Sequence, residues 1–84
     1  MDSIEINARW REEVVASSSG GKLVFEFTMG QEHLYFPSEA RWLQLAPAWA
    51  KDKWQAYRDA CQRWCEQNRY PISIVSDTHF YEEN

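Results

Sequence analysis

The sequence has little of several features that would place it in a specialised class of protein. Its 84 residues include two cysteines, three prolines and three glycines, and no uncharged apolar run comes near the length of a membrane-spanning helix. The first ten residues, MDSIEINARW, have neither the basic start nor the apolar centre of a signal peptide. We therefore expect a soluble, cytoplasmic protein that neither crosses nor binds a membrane.

The two cysteines are too few and too close in sequence for a disulfide framework. Cys61 and Cys65 lie four residues apart in a predicted helix. Side chains stacked on adjacent helical turns seldom have the Cβ geometry that a disulfide requires. We therefore expect a reduced pair of thiols, as is usual in the cytosol.

Basic residues are the minority, with 9 Lys and Arg against 13 Asp and Glu and a formal net charge of −4. They are scattered along the chain, and no cluster is longer than a pair. Because nucleic-acid affinity comes mainly from Lys and Arg neutralising phosphates, this distribution disfavours a nucleic-acid partner, and we expect none. The acidic excess promotes solubility and attracts a basic partner.

Aromatic residues, by contrast, are plentiful, with five Trp, four Tyr and four Phe. A chain of this length builds one core in a single domain, residues 1–84, and has little apolar area to spare. Since each enclosed aromatic side chain buries a large area, we expect most of the Trp residues to lie in the core.

The first half of the chain reads as strands. Residues 4–10 alternate apolar and polar side chains, as do residues 22–29 and 31–36, with Gly30 at the turn between the last two. Residues 11–16 break the alternation and predict either a β-bulge or a second short strand. Residues 17–21, SSSGG, predict a flexible loop.

The second half reads as helix and then strand. Ser38 is a suitable N-cap for a short helix over 39–45, and Pro47 predicts the start of a long helix over 48 to about 68. The buried seam of that helix consists of Ala50, Trp54, Tyr57, Cys61 and Trp64. Residues 72–81 predict one closing strand, and residues 82–84 a frayed polar tail.

Together these elements predict a two-layer α+β fold, β-β-β-α-α-β, with a mainly antiparallel four-stranded sheet. A helical crossover would place the last strand parallel to the first and beside it, giving the order 3-2-1-4. The long helix would cover one sheet face and leave the other open. The open face would carry Val24, Glu26, Thr28, His33, Tyr35, Val75, His79 and Tyr81.

One short motif suggests metal chemistry. Asp77 and His79, after the apolar residues 72–75, form a D-x-H sequence that resembles the first metal-binding motif of the calcineurin-like metallophosphoesterases. The resemblance covers fewer than ten residues and implies that Asp77 and His79 hold one ion of a two-metal site. Only five residues follow His79, which leaves no room for the family's later motifs, so we expect no complete two-metal site here.

Cys61, Cys65, His33 and His79 supply the number of ligands that zinc takes, but their spacing matches no familiar zinc finger. Cys61 also falls on the core seam, where a thiol behaves as a small apolar side chain. We therefore expect no metal site, no cofactor and no catalytic site.

The preferred hypothesis is a small acidic non-enzymatic protein that binds another protein, of the immunity-protein, antitoxin or phage-inhibitor type. The candidate contact residues are those on the open sheet face, with two Trp residues around Pro47: Glu26, His33, Tyr35, Trp42, Trp49 and Tyr81. For Trp42 and Trp49 the need to bury aromatic area favours the alternative, that both cap the end of the core. One alternative is a metal-dependent phosphoesterase-like fragment using Asp77 and His79. Another is a self-associating structural or accessory protein, a homodimer joined through its edge strands.

Overall fold

The protein, seen in a computed structural model that describes residues 3–9 and 12–83, has an α+β fold with a mixed sheet and two α-helices. The described residues form a sheet of six strands, so the predicted number of four is wrong. The strands are β1 (Glu5–Arg9), β2 (Glu13–Ser18), β3 (Gly21–Thr28), β4 (His33–Pro37), β5 (Ile72–Val75) and β6 (Phe80–Glu83). The helices are α1 (Glu39–Leu45) and α2 (Trp54–Asn68), with a 3-10 turn at Ala48–Ala50 between them. No helix within these described ranges is long and apolar enough to span a bilayer.

Strands β1 to β4 form an antiparallel meander, and β5 then pairs with β4 in parallel. The predicted order 3-2-1-4 is therefore wrong: the helical crossover returns the chain beside β4, the strand it has just left, and not beside β1. On its other side β4 pairs with β3, but only along the last three residues of β3, Glu26 to Thr28. The same edge of β3 is left unpaired by β4 along its first half, and β6 pairs with it there in antiparallel fashion.

The closing strand predicted over 72–81 is two strands. Residues 76–79 form a loop that carries the chain from the far side of β4 back to β3. Within this loop Thr78 is buried, and its hydroxyl donates to the Glu26 carboxylate at 2.8 Å. This long-range contact accounts for the break, because it holds the loop against β3 at the point where β6 begins.

Three expectations about loops and ends change in the structure. Ser17 and Ser18 belong to β2, and Gly21 begins β3, so the predicted flexible loop is a tight hairpin turn. Residues 11–16 are predicted to form either a bulge or a second short strand, and the second strand, β2, begins among them at Glu13. Trp10 and Arg11 lie outside the described residues. The predicted frayed tail is also wrong for Glu82 and Glu83, which lie in β6, whereas Asn84 is outside the described residues.

The short helix forms at Glu39–Leu45 as predicted, and the Ser38 side chain caps it by accepting from the Arg41 amide. The long helix begins at Trp54, six residues later than predicted. The carbonyl of Ala50 explains the delay, because it accepts the Trp42 indole N–H at 2.8 Å and the Lys53 amide at 3.0 Å. That carbonyl is committed to a 3-10 turn and to the core, so the helix restarts beyond it.

The core lies between the helices and one face of the sheet. The predicted seam is largely confirmed: Tyr57 and Cys61 are buried, and Trp54 and Trp64 pack partly buried against the core. The buried side chains of the sheet on this side are Val14, Ala16, Leu23, Phe25, Phe27, Leu34, Phe36 and Phe80. The opposite surface, here called the outer face, is covered by no helix of the described residues.

Candidate functional site

The outer face brings together four of the predicted contact residues. Tyr35 is the cross-strand partner of Glu26, and His33 lies two residues before Tyr35 on β4. Tyr81 is the partner of Val24 on the other half of β3. Since Cα partners point to the same side of a sheet, all four candidate side chains share this face.

Trp42 is not part of any accessible surface. It is fully buried, its ring stacks on Phe80 at 5.0 Å between centroids, and its indole N–H donates to a backbone carbonyl. Trp42 is therefore a core residue, and the hypothesis that it contacts a partner is corrected.

Trp49 is partly exposed, on the helix side of the sheet. Its indole N–H donates to the Glu82 carboxylate at 2.8 Å, and its ring lies across the β2–β3 turn close to Gly20 and Gly21. Trp49 thus contacts both the β2–β3 turn and Glu82 of β6. It lies on the opposite side of the sheet from Tyr35 and Tyr81.

Glu26 is an acidic group of the outer face that two hydrogen bonds hold in place. One carboxylate oxygen accepts the Thr78 hydroxyl at 2.8 Å and the His79 backbone amide at 2.7 Å. Thr78 is held in turn by its carbonyl, which accepts from Arg41 Nε at 2.9 Å. The loop 76–79 is therefore anchored to both the sheet and α1.

An open depression of about 260 Å³ lies between this loop and the sheet. Its lining includes the carboxylates of Glu26 and Asp77 and the ring of Tyr35. Neither carboxylate has an ion-pair partner within residues 3–9 and 12–83. The depression therefore presents two uncompensated negative groups beside an aromatic ring.

Two stacked pairs of rings involve outer-face residues, and one of the rings, Tyr35, lines the depression. His33 stacks on Tyr35 with centroids 4.5 Å apart, and its Nε2 shares a hydrogen bond of 2.7 Å with the Ser73 hydroxyl. His79 stacks on Tyr81 at 6.1 Å, and Tyr81 is 39% exposed. These contacts give the aromatic side chains fixed positions on an otherwise polar surface.

Beyond Tyr81 the outer face carries an ionic network that sequence reasoning missed. Arg9 donates from Nε to Glu13 at 2.9 Å and from both terminal nitrogens to the Glu83 carboxylate, and the Tyr81 hydroxyl donates to Glu13 at 2.7 Å. No sequence signal links these residues, because Arg9 and Glu83 are 74 positions apart.

The network shifts the titration of each of its members. The Tyr81 hydroxyl and then Arg9 lower the pKa of Glu13, and Arg9 lowers the pKa of Glu83. The same hydrogen bond to Glu13 raises the pKa of Tyr81. Each direction follows from a hydrogen bond that favours the carboxylate anion and the protonated donor.

The D-x-H residues lie in the anchored loop. Asp77 and His79 are both exposed, and the His79 ring stacks on Tyr81. In the part of the chain that the structure describes, no group of three or more His, Cys, Asp or Glu side chains is placed to hold a metal ion. Cys61 and Cys65 are buried on the helix side of the sheet, and the outer-face His33 does not converge with them.

Charge is divided unevenly between the helical segment and the strands. Residues 39–69 contain four acidic and six basic side chains, a net +2, whereas the rest of the chain contains nine acidic and three basic ones, a net −6. The strand-forming parts of the chain therefore carry the whole acidic excess.

Comparisons with protein-family models, with curated proteins and with solved structures find no match.

Proposed function

We propose that this protein is a small non-enzymatic domain that binds a basic partner protein through its outer face. The observation that carries the proposal is the depression in which the carboxylates of Glu26 and Asp77 lie beside the Tyr35 ring with no cation from the described chain. The class we propose is that of immunity proteins, antitoxins and phage inhibitors, which act by binding another protein.

The chemistry of the depression suits a Lys or Arg side chain of the partner. Two carboxylates supply charge complementarity, which speeds association and selects against acidic partners. The Tyr35 ring adds a surface on which a cation can rest, a contact of about 0.5–2 kcal/mol depending on how far it is desolvated.

Preorganisation also favours binding at this place. Glu26 is already oriented by Thr78 and His79, so few rotamers need to be frozen when a partner arrives. Tyr35 and Tyr81 are of the residue types that protein interfaces favour, and both hold fixed positions through stacking.

A comparative capture experiment tests the proposal. Immobilised wild-type protein, Asp77→Arg and Asp52→Arg would be incubated with the same cell lysate, and bound proteins identified by mass spectrometry. Asp52 is exposed in the turn before α2, so it is a control with the same chemical change. We expect a basic protein bound by wild type and Asp52→Arg, lost with Asp77→Arg, and weakened as salt is raised.

Several results would contradict the proposal. Equal capture by all three forms would place the contact elsewhere, and an acidic captured protein would remove the electrostatic argument. Stoichiometric Zn, Mn or Fe in the purified protein, lost with Asp77→Arg, would favour the phosphoesterase-like alternative. For the inhibitor class, the captured protein should lose activity when wild type is added and keep it with Asp77→Arg.

A further inference from the structure

Strand β1 is an edge of the sheet. Within the described residues its only strand partner is β2, so one side of its backbone is free to pair. Glu5, Asn7 and Ala8 are exposed along it. Edge strands are usually protected by shortness, charged side chains, Pro, a bulge or a covering segment. Glu5–Arg9 is short and carries a charge at each end, but it contains no Pro.

The sequence of β1 is complementary to itself when read in opposite directions. In an antiparallel pair centred on Asn7, Glu5 of one copy faces Arg9 of the other, at both ends of the pair. The same register sets Ile6 of one copy opposite Ala8 of the other. A strand of five residues with an acid at one end and a base at the other therefore offers two favourable cross-strand charge pairs.

We propose that two copies of this chain associate through antiparallel pairing of their β1 strands about Asn7. A two-fold axis requires that one surface be complementary to itself, and the Glu5–Arg9 arrangement meets this requirement. Continuous pairing would extend the sheet across the axis and satisfy the free backbone groups of both edges.

The apolar side of β1 supports the same partner. A groove of about 420 Å³ runs between β1 and α2, and its lining combines the apolar side chains of Ile4, Ile6, Ala60 and Trp64 with the polar side chains of Glu5, Asn7, Arg63 and Gln67. Ile6 and Trp64 are only partly buried, and Ala8 is exposed beside them. Pairing sets Ile6 of the second copy against Ala8, which removes apolar surface from water on both sides of the axis.

Glu5 is the residue on which to test this register. Its side chain is exposed and takes part in no ion pair within the described chain, whereas Arg9 is already held by Glu13 and Glu83. The Arg9 guanidinium keeps 38% of its side chain exposed, but its Nε and both terminal nitrogens already donate towards β2 and β6. In the dimer, Arg9 would therefore share its charge between these carboxylates and Glu5 of the second copy. Reversing the charge of Glu5 therefore disturbs the pairing of two copies without removing a contact of the single chain.

Sedimentation velocity over a concentration series tests the proposal. We expect wild type to form a dimer and Glu5→Arg to dimerise roughly tenfold or more weakly, because two like-charge pairs replace two opposite-charge pairs. Glu32→Arg, the same change in the β3–β4 turn, should dimerise as wild type does. Far-UV circular dichroism and the melting temperature should show that Glu5→Arg keeps its fold.

A second arm tests the register itself. Arg9→Glu loses the pairs with Glu13 and Glu83, so circular dichroism must first show that it keeps its fold. The folded variant should dimerise weakly alone, but an equimolar mixture of Glu5→Arg and Arg9→Glu should form a heterodimer visible by native mass spectrometry. A wild-type monomer at all concentrations, or a dimer that Glu5→Arg leaves unchanged, would overturn the proposal. Asp77→Arg should keep the dimer, so failure of partner capture and failure of dimerisation can be told apart.

Discussion

The Arg9 guanidinium extends across β2 and β3 and donates hydrogen bonds from both terminal nitrogens to the Glu83 carboxylate. This pair joins the first strand of the sheet to the last, and Arg9 also donates to Glu13 on the strand between. Val15 and Val24, on the same outer face, are buried at 7% and 1% exposure although no helix covers them. The ionic network therefore closes a surface that the helices leave open.

The network predicts a loss of stability in acid. Glu13 and Glu83 have lowered pKa values in the folded protein, so the stability they contribute is present above their ordinary pKa of 4.5 and is lost as the pH falls below it. In Arg9→Gln the fall should be shallower, because the carboxylates lose the donor that favours their anions. The free energy of unfolding in urea, measured at a series of pH values between pH 3 and pH 7, tests this prediction for both proteins.

The control for this prediction is Arg63→Gln, which removes an exposed guanidinium that makes no ion pair within residues 12–83. Its acid profile should match that of wild type. Because the Arg9 pairs are partly exposed, their contribution should also shrink when salt is raised. Identical profiles for wild type and Arg9→Gln would show that the network does not stabilise the fold.

Trp42 should be the most sensitive aromatic position in the protein. It is fully buried among four aromatic rings, and it holds the Ala50 carbonyl that sets the start of α2. Trp42→Ala should lower the free energy of unfolding by about 3–5 kcal/mol, and Trp42→Phe by about 1–3 kcal/mol. Trp49→Phe, at a partly exposed site, should cost less than either in urea unfolding followed by circular dichroism.

Gly20 should tolerate no side chain while Trp49 is present. A Cβ at Gly20 would lie 2.7 Å from Cε3 of the Trp49 ring. This distance is shorter than the contacts that Cβ atoms make in proteins, so the ring or the turn would have to move. Gly20→Ala should therefore destabilise the protein by about 1–3 kcal/mol, as overpacking does. In a Trp49→Ala background the same change should cost much less, and a double-mutant cycle measures the coupling.

Gly30 provides the contrast. Its φ of 97° strains any other residue, but nothing lies within 4 Å of a Cβ placed there. Gly30→Ala should therefore be destabilising by an amount that does not depend on Trp49. Equal coupling free energies of Gly20 and Gly30 with Trp49 would argue against a steric contact between the Trp49 ring and Gly20.

The two thiols should be unreactive in the folded protein. Burial raises the pKa of Cys65 to about 11 and that of Cys61 further, the latter also through its neighbour Cys65. Since the thiolate is the reactive form, a thiol reagent at pH 8 should label the native protein slowly and the urea-unfolded protein at once. Fast labelling of both thiols in the native state would contradict their burial.

The same shift has a consequence in alkali. The unfolded chain releases its thiol protons near pH 9 and the folded chain only at higher pH, so stability should fall as the pH rises above about 9. Cys65→Ala should lessen the fall, although Tyr81, whose pKa is also raised, contributes a part that remains.

Local pattern predicted much of the candidate surface. Alternation with a period of two places Leu34 and Phe36 in the core and His33 and Tyr35 on the outer face, and the structure confirms this division. The same reasoning could not find the Arg9–Glu83 pair or the Thr78–Glu26 bond. Those contacts depend on which strands are neighbours, and sequence spacing carries no information about that.

The helical segment shows the same limit. The seam containing Tyr57, Cys61 and Trp64 was predictable because a 3.6-residue period marks the buried side of a helix wherever the helix lies. The start of the helix was not, because it depends on the Ala50 carbonyl accepting from Trp42, eight residues earlier in the chain.

The sequence alone determined the type of each main element and the side that each buries, since backbone periodicity and side-chain polarity act over a few neighbouring residues. Tertiary structure alone decided the strand order, the break between β5 and β6 and the anchoring of the loop 76–79 to Glu26. Those features arise because β4 occupies only part of β3, which leaves backbone donors and acceptors that β6 satisfies and a carboxylate that Thr78 reaches.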